Sequence, residues 1–168
     1  MATRSPGIES EDASSSAPLI AADVARGVGR LFWHRRFVCL TEVCLPGGRR
    51  VDVMALGPDG TLCVVEIKVS VADLRGDRKW PDYLEWCDQF YWGIPAGFNA
   101  DLLSEECFSP GHCGLIVADR FGAEMLRPAA TDKLNAARRK RAVALFARVA
   151  AARVMRAGDE FLEGSSEL

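Results

Sequence analysis

The alternation of hydrophobic and polar positions predicts an α/β fold that begins with a helix and three strands. Over residues 18–34 the apolar side chains recur at helical spacing, which places one side of a helix against a core. Residues 37–45 and 49–56 then alternate as two strands joined by a Pro-Gly-Gly turn. Residues 61–69 add a third strand after a Pro-Asp-Gly turn, so the three strands form an antiparallel meander.

The second half of the chain predicts further strands on the same sheet. Pro81 begins a second helix at its favoured first position, and residues 90–94 follow as a short strand. Residues 114–118 are apolar without interruption, which is typical of a strand covered on both faces, and residues 123–126 return from it. The pattern as a whole predicts a mixed sheet with helices on both sides.

Length and composition favour one globular domain. The 168 residues, with 49% hydrophobic and 26% charged positions, suffice for a single core at residues 18–157. Residues 1–17 are rich in Ser, Pro and acids and predict a disordered tail, and residues 158–168 predict an acidic flexible tail. Charges interrupt the longer apolar stretches, so neither a signal peptide nor a membrane span is expected. The expected compartment is the cytosol.

Two carboxylates and a lysine lie within the strand pattern, where an ionised group is costly unless it is paired or binds metal. A three-residue Pro-Asp-Gly loop, with Gly60 in the left-handed conformation, places Asp52 directly opposite Glu66. Lys68 returns to the same face two residues later. A two-residue turn would instead oppose Asp52 to Ile67 and separate the two acids, and the first register is the expected one.

The opposed acids call for a compensating charge, because like charges directly across a strand pair destabilise the sheet. Mg²⁺, with Mn²⁺ as a substitute, would supply that charge, since Mg²⁺ takes oxygen ligands from one or two protein carboxylates. In the alternative interpretation, Lys68 neutralises one acid in an ion pair on an edge strand. The matching register of Asp52 favours a functional site.

The predicted final helix, from a Thr131 cap to about Arg156, carries an excess of positive charge. It holds eight basic residues and one acid, although the whole protein has a net charge of −2. Such a concentration would follow a DNA backbone, with Arg138, Arg139 and Arg141 as candidate contacts. The alternative is a solvated helix face with some residues paired to acids elsewhere.

Several ordered segments of the chain resemble known nuclease and repair families. The first helix, the meander, Asp52 and the Glu66-Ile67-Lys68 triplet are similar to the PD-(D/E)xK nuclease superfamily. More narrowly, the chain resembles the MmcB-like bacterial DNA repair proteins from about Leu19 to Arg156. The segments that carry this likeness are GRRVD (48–52), VEIKVSVAD (65–73), DRKWPDY (77–83), CDQFY (87–91) and GLIVAD (114–119).

The resemblance implies a restriction-endonuclease-like mixed β-sheet and a Mg²⁺-dependent endonuclease site for repair of crosslinked, branched or otherwise damaged DNA. By that analogy Asp52 and Glu66 hold the metal, and Lys68 orients the attacking water or stabilises charge on the phosphate. Glu42 on the first strand is a further candidate ligand, with a solvent-side acid as the alternative. Asp23 is the only candidate for the superfamily's usual first-helix acid, which leaves one-metal and two-metal chemistry open.

Further residues are candidates for contact with DNA. Binding to DNA would associate the protein with the nucleoid. Outside the final helix they are Arg50, Ser70, Arg78, Lys79, Trp80, Tyr83 and Gln89. The two aromatic residues would stack on unpaired bases or pack in the core.

Two other functional classes compete with the nuclease. One is a catalytically silent protein of the nuclease fold that binds DNA or serves as a scaffold in a repair complex. The other is a small-molecule phosphoesterase. It is the least favoured of the three classes, because the sequence has no glycine-rich phosphate loop. The resemblance also leaves a homodimer open.

Overall fold

The computed structural model describes residues 20–162, which form an open six-stranded sheet flanked by helices. The strands lie in chain order, as β1 (Val38–Leu45), β2 (Arg49–Leu56), β3 (Leu62–Ile67), β4 (Gln89–Pro95), β5 (Gly114–Ala118) and β6 (Ala123–Arg127). Pairing is antiparallel from β1 to β3 and between β5 and β6, and parallel from β3 through β4 to β5. The predicted mixed sheet with an antiparallel meander is confirmed.

Three α-helices and a series of 3₁₀ helices flank the sheet. The α-helices are α1 (Ala21–His34), α2 (Val71–Gly76) and α3 (Ala136–Gly158). The 3₁₀ helices span Trp80–Trp86, Ala100–Ser104, Glu106–Phe108 and Glu160–Leu162. No helix within residues 20–162 is long and apolar enough to cross a membrane. The predicted tail at residues 1–17 and most of the one at 158–168 lie outside the described residues.

The β2–β3 turn has the three-residue form that the sequence predicts. Gly60 has a φ of +83°, which favours glycine, and the Gly57 N–H donates to the Thr61 carbonyl at 2.8 Å. The strands pair Leu56 with Leu62 and continue in that register to Val53 and Val65. The predicted register is therefore confirmed, and the two-residue turn is excluded.

α1 covers one face of the sheet. Its buried residues Val24, Val28 and Phe32 pack against a layer that includes Val53 and Val65. At Gly27 the helix sits directly on the β5–β6 turn, where an added Cβ would clash with the carbonyl oxygens of Asp119 and Gly122. The absence of a side chain at Gly27 thus allows α1 to approach the sheet closely.

The opposite face is covered by α3 and the 3₁₀ helices around an aromatic cluster. The rings of Trp80, Phe90, Trp92 and Phe108 lie with neighbouring centroids 5.1 to 5.7 Å apart. Such aromatic pairs each stabilise a fold by about 1 kcal/mol beyond their burial. Phe146 of α3 closes the layer. A core therefore lies on each side of the sheet, as the helices predicted on both sides require.

Two details of the predicted helices are different in the structure. The second predicted helix, begun by Pro81, is the 3₁₀ helix Trp80–Trp86. The short α2, which the sequence analysis missed, precedes it. The Ser70 hydroxyl caps α2 by accepting the Asp73 N–H at 3.1 Å.

The predicted Thr131 cap is wrong. α3 begins at Ala136, and the Asn135 side chain caps it by accepting the Arg138 N–H at 2.9 Å. Thr131 instead accepts a hydrogen bond from the Gln89 side-chain amide at 2.8 Å. The helix starts late because backbone N–H groups in the segment before it are bonded to Asp88.

Candidate active site

β2 and β3 separate at Asp52. Their paired residues end at Val53 and Val65, and beyond this point the Asp52 carboxylate accepts the Ile67 N–H at 2.7 Å. The same register extended by one residue sets Asp52 opposite Glu66. The side chain of Asp52 is therefore fixed beside β3, at the end of the strand that carries Glu66.

Lys68 is buried among three carboxylates. Its Nζ lies 3.1 Å from Glu66 Oε1, 2.8 Å from Asp77 Oδ2 and 3.7 Å from Asp73 Oδ1. Glu66 is 7% exposed and Lys68 is 4% exposed. The structure therefore brings Glu66 and Lys68 together as predicted, and adds two acids that the sequence analysis did not assign to the site.

Asp73 and Asp77 come from α2 and its C-terminal cap. The sequence carries a signal for both. Ser70 is a good N-cap, and an i, i+4 spacing places Asp73 and Asp77 on one side of a short helix.

Burial and neighbouring charges set the protonation states. Burial raises the pKa of Glu66 to about 8; the charge of Asp52 adds to this effect and Lys68 opposes it. Burial also raises the pKa of Asp52, against the opposing effects of the Ile67 N–H and Lys68. Burial alone would lower the pKa of Lys68, but its contacts with Asp77 and Glu66 outweigh burial and raise it. Lys68 therefore remains an ammonium ion at neutral pH.

Glu66 Oε2 is a buried oxygen without a hydrogen-bond partner, and no other buried side-chain N or O atom among residues 20–162 shares this condition. An unsatisfied buried polar group costs about 1–3 kcal/mol, so it calls for a bound ion or water. Asp52 and Glu66 supply the one or two carboxylates that Mg²⁺ takes from a protein. The residues present thus fit a cation held by two carboxylates.

Glu42 lines the same cleft as Asp52, but it does not complete a three-residue metal-binding set with Asp52 and Glu66. Its φ of +50° interrupts the β1–β2 pairing, and its exposed carboxylate lies 3.5 Å from Arg50. Among the described residues no three His, Cys, Asp or Glu side chains come together as a metal-binding set. The structure therefore does not assemble the three-carboxylate site in which Glu42 was a candidate.

Asp23 is engaged elsewhere. Its carboxylate accepts the Ile20 N–H at the start of α1 and lies 3.2 Å from Arg26 and 3.6 Å from Arg120 of the β5–β6 turn. The first-helix acid of the superfamily has no counterpart beside Asp52 in these contacts.

Trp80 and Tyr83 are core residues, so the alternative interpretation holds for both. Trp80 packs on Phe90 at 5.4 Å and on Trp92 at 5.5 Å between ring centroids. Tyr83 is buried, and its hydroxyl donates to the Arg50 carbonyl at 3.2 Å. The predicted stacking of these rings on DNA bases is wrong because the protein core covers them.

The remaining candidates near the site lie at the surface. Arg78 and Lys79 are exposed and directly follow Asp77, while exposed Ser70 and Arg50 flank Lys68 and Asp52 in the chain. Ser70 also caps α2. These four residues remain candidates for contact with a phosphate backbone.

Gln89 and Arg139 lie away from the acids. Gln89 pairs with Cys63 near the start of β3, at the opposite end of the strand from Glu66. Arg139 donates two hydrogen bonds, of 2.6 and 2.9 Å, to the buried carboxylate of Asp88. Arg139 therefore fastens α3 to the sheet. It is not available to contact DNA, contrary to the prediction.

Two other basic residues of α3 also contact the protein. Arg138 lies 3.3 Å from Glu85, and the Arg141 guanidinium lies 5.3 Å from the ring centroid of Trp86. The alternative interpretation of the α3 charges, in which some residues pair with acids elsewhere, accounts for Arg138, whereas Arg141 contacts an aromatic ring.

A cleft of about 530 Å³ opens between α1 and β1 and reaches Asp52 and Ile67. Small residues of α1, among them Ala22, Ala25 and Gly29, form one wall. The other wall includes Cys39 and Thr41 of β1. Asp52 is therefore accessible from solvent through this cleft.

Comparisons with known proteins place the chain within one family. The family model described as DNA repair protein MmcB-like matches residues 9–161. A solved structure, described as the SPO1766 protein of unknown function from Silicibacter pomeroyi, is similar with a TM-score of 0.78 and 41% sequence identity. That match covers 91% of this chain and 99% of the other. No curated protein matches the chain.

Proposed function

Because the chain belongs to the MmcB-like DNA repair protein family, we propose that it is a Mg²⁺-dependent DNA phosphodiesterase. Asp52, Glu66 and Lys68 are its catalytic residues. The observation that carries the proposal is the unpartnered, buried Oε2 of Glu66 beside the buried Lys68 ammonium. A purely structural ion pair has no need of an acid with one oxygen left unsatisfied.

The charge of the site supports the binding of a cation. Three carboxylates, from Glu66, Asp73 and Asp77, contact the single ammonium of Lys68, and the charge of a fourth, from Asp52, acts on the same site. A cation shared by Asp52 and Glu66 would offset their mutual repulsion and lower the pKa of Glu66 into the ionised range.

The residues divide the work by their charge. Mg²⁺, when bound by Asp52 and Glu66, supplies a Lewis acid and lowers the pKa of a water ligand. Lys68 cannot act as a general base, because its raised pKa keeps it protonated. It instead stabilises negative charge that develops on the scissile phosphate. Asp77 is a positioning residue, since its 2.8 Å contact holds the Lys68 ammonium.

A cleavage assay tests the proposal. The purified protein is incubated with flapped, branched, single-stranded and duplex DNA in Mg²⁺ or in EDTA. We expect metal-dependent products that fall by about 10²-fold or more in Lys68→Ala and Asp52→Ala, as for other electrostatic catalytic groups. Circular dichroism and thermal melts check that both variants fold.

Glu124→Gln is the matched control, because it removes an exposed acid on β6 and leaves the site intact. Its activity should equal that of the wild type. The absence of Mg²⁺-dependent products on all four substrates, or equal products from Lys68→Ala, would contradict the proposed phosphodiesterase.

A catalytically silent DNA-binding protein is the second candidate. The observation in its favour is that Lys68 already contacts three acids, and no three-residue ligand set forms among residues 20–162. This candidate predicts DNA binding that is equal in Mg²⁺ and EDTA, without cleavage. The same assay, with a gel-shift measurement added, separates it from the nuclease.

A further inference from the structure

We propose that an unpaired DNA strand leaves the Asp52 cleft along α1 and stacks a base on Trp33. This proposal rests on the proposed function for the position of the scissile phosphate, and it specifies the substrate class. The substrate carries a single-stranded segment, as a flap or a gap does. Three features of α1 and β1 carry the proposal.

The first feature is the exposure of Trp33. The side chain is 69% exposed on the last turn of α1, and within the described residues it makes no ring contact. Trp80 and Trp92 are buried, and Trp86 is half-buried. A large aromatic face open to solvent is suited to stacking on a base.

The second feature is alignment with the cleft. Ala22, Arg26 and Gly29 line the cleft, and Trp33 continues the same row at helical spacing, one turn beyond Gly29. On the facing strand, Cys39 lines the cleft. The rise of the helix places Trp33 about 16 Å from Ala22 along the axis. A strand a few nucleotides long can span this length.

The third feature is charge. Residues 24–41 contain no Asp or Glu, in a protein whose net charge is −2. Arg30, Arg35 and Arg36 are exposed around Trp33, and none of them forms an ion pair within residues 20–162. Arg30 donates to the Arg120 carbonyl, and its charge acts on Asp119. Arg35 lies 3.3 Å from the Met125 sulfur, and the positive charges of Arg35 and Arg36 have no acidic partner within the described segment. This surface therefore attracts a polyanion.

These features favour single-stranded DNA over duplex. Bases inside a duplex are stacked on each other and present no face to a side chain, whereas unpaired bases stack on aromatic rings without regard to sequence. An arginine cluster beside the ring adds contacts to the phosphates of the same strand.

The test measures the binding of a dT oligonucleotide and of a matched duplex in EDTA, with tryptophan fluorescence as the readout. We expect dT to quench the fluorescence and to bind more tightly than the duplex. Trp33→Ala should weaken dT binding by about tenfold, and Trp33→Phe should retain most of the affinity, because one base stack is lost only in the first variant. Arg36→Ala should reduce the slope of log affinity against log salt by about 0.7.

Phe161→Ala is the matched control, since it removes an exposed aromatic side chain beyond the end of α3. It should bind dT like the wild type. Equal dT affinity in Trp33→Ala and the wild type would overturn the proposal. Binding to anionic phospholipid vesicles that depends on Trp33, without dT binding, would also overturn it and identify a membrane surface.

The outcome is separable from that of the proposed function. A dT affinity that falls in Trp33→Ala, without cleavage of any substrate, would support the strand path and refute the phosphodiesterase. Cleavage that is unchanged in Trp33→Ala, with unchanged binding, would support the phosphodiesterase and refute the strand path.

Discussion

Replacement of Glu66 by glutamine should make the metal-free protein less sensitive to rising pH. Burial and the charge of Asp52 raise the pKa of Glu66 to about 8, from an ordinary value of 4.5. Between these two values the folded protein holds a proton on Glu66 that the unfolded chain has released. The free energy of unfolding therefore falls as pH rises through this window. Glutamine resembles the protonated acid and has no proton to lose.

The magnitude follows from the pKa difference. One pKa unit corresponds to about 1.4 kcal/mol, so the Glu66 contribution amounts to roughly 1 kcal/mol per pH unit between pH 5 and 8. Lys68 stays paired in Glu66→Gln, because Asp77 remains 2.8 Å from its ammonium. We therefore expect the variant to fold, and to become progressively more stable than the wild type as pH rises.

Urea unfolding at pH 5.5, 6.5 and 7.5 in EDTA measures this difference, with Glu124→Gln as the control that should follow the wild type. Mg²⁺ at 100 times its dissociation constant should add about 2.7 kcal/mol to wild-type stability at pH 7.5 and much less to Glu66→Gln. Parallel stability curves for the wild type and Glu66→Gln would refute the assignment of a raised pKa to Glu66.

Three further substitutions test the fold that holds the site. Arg139→Ala should cost about 3 kcal/mol of stability at neutral pH, because it leaves buried Asp88 without a counter-charge. The loss should shrink in acid, where the lowered pKa of Asp88 is reached and the carboxylate is protonated. Thermal melts at pH 7 and pH 3 measure the loss, and equal losses at the two pH values would contradict the pairing of Arg139 with Asp88. Gly27→Ala should cost about 2 kcal/mol or more of stability through the clash with the β5–β6 turn, and urea unfolding would measure this loss. A variant as stable as the wild type would rule out the close approach of α1 to the turn. Gly60→Ala should cost about 1 kcal/mol, because Gly60 has a φ of +83°, and an unchanged unfolding midpoint would count against the left-handed turn.

The local features of the chain were predictable because a few residues determine them. The Pro-Asp-Gly sequence fixes the β2–β3 turn, and the turn fixes the register that sets Asp52 opposite Glu66. Alternating hydrophobicity then assigns the strands, since each face of the sheet packs against its own core. The turn, the register and the strand assignments each depend on residues that are close together in the sequence.

The features that sequence reasoning missed depend on distant partners. Arg139 looked like a DNA contact because helix charge alone does not reveal its partner, Asp88, which lies 51 residues earlier in the chain. The same carboxylate binds the Leu134 N–H and delays the start of α3, so Thr131 could not be recognised as outside the helix. For Trp80 the sequence left stacking on bases and packing in the core both open, because its neighbours Phe90 and Trp92 come from another element.

The contact of α1 with the β5–β6 turn allows the width of the cleft that leads to Asp52 to vary. One wall of the cleft belongs to α1, yet its distance from the sheet is set at Gly27 by two carbonyl groups of the β5–β6 turn, at the opposite edge of the sheet from β1. A change in the length or conformation of that distant turn would widen or narrow the entrance to Asp52 without replacing any side chain that lines it. The width of that entrance can therefore change while Asp52, Glu66 and Lys68 stay the same.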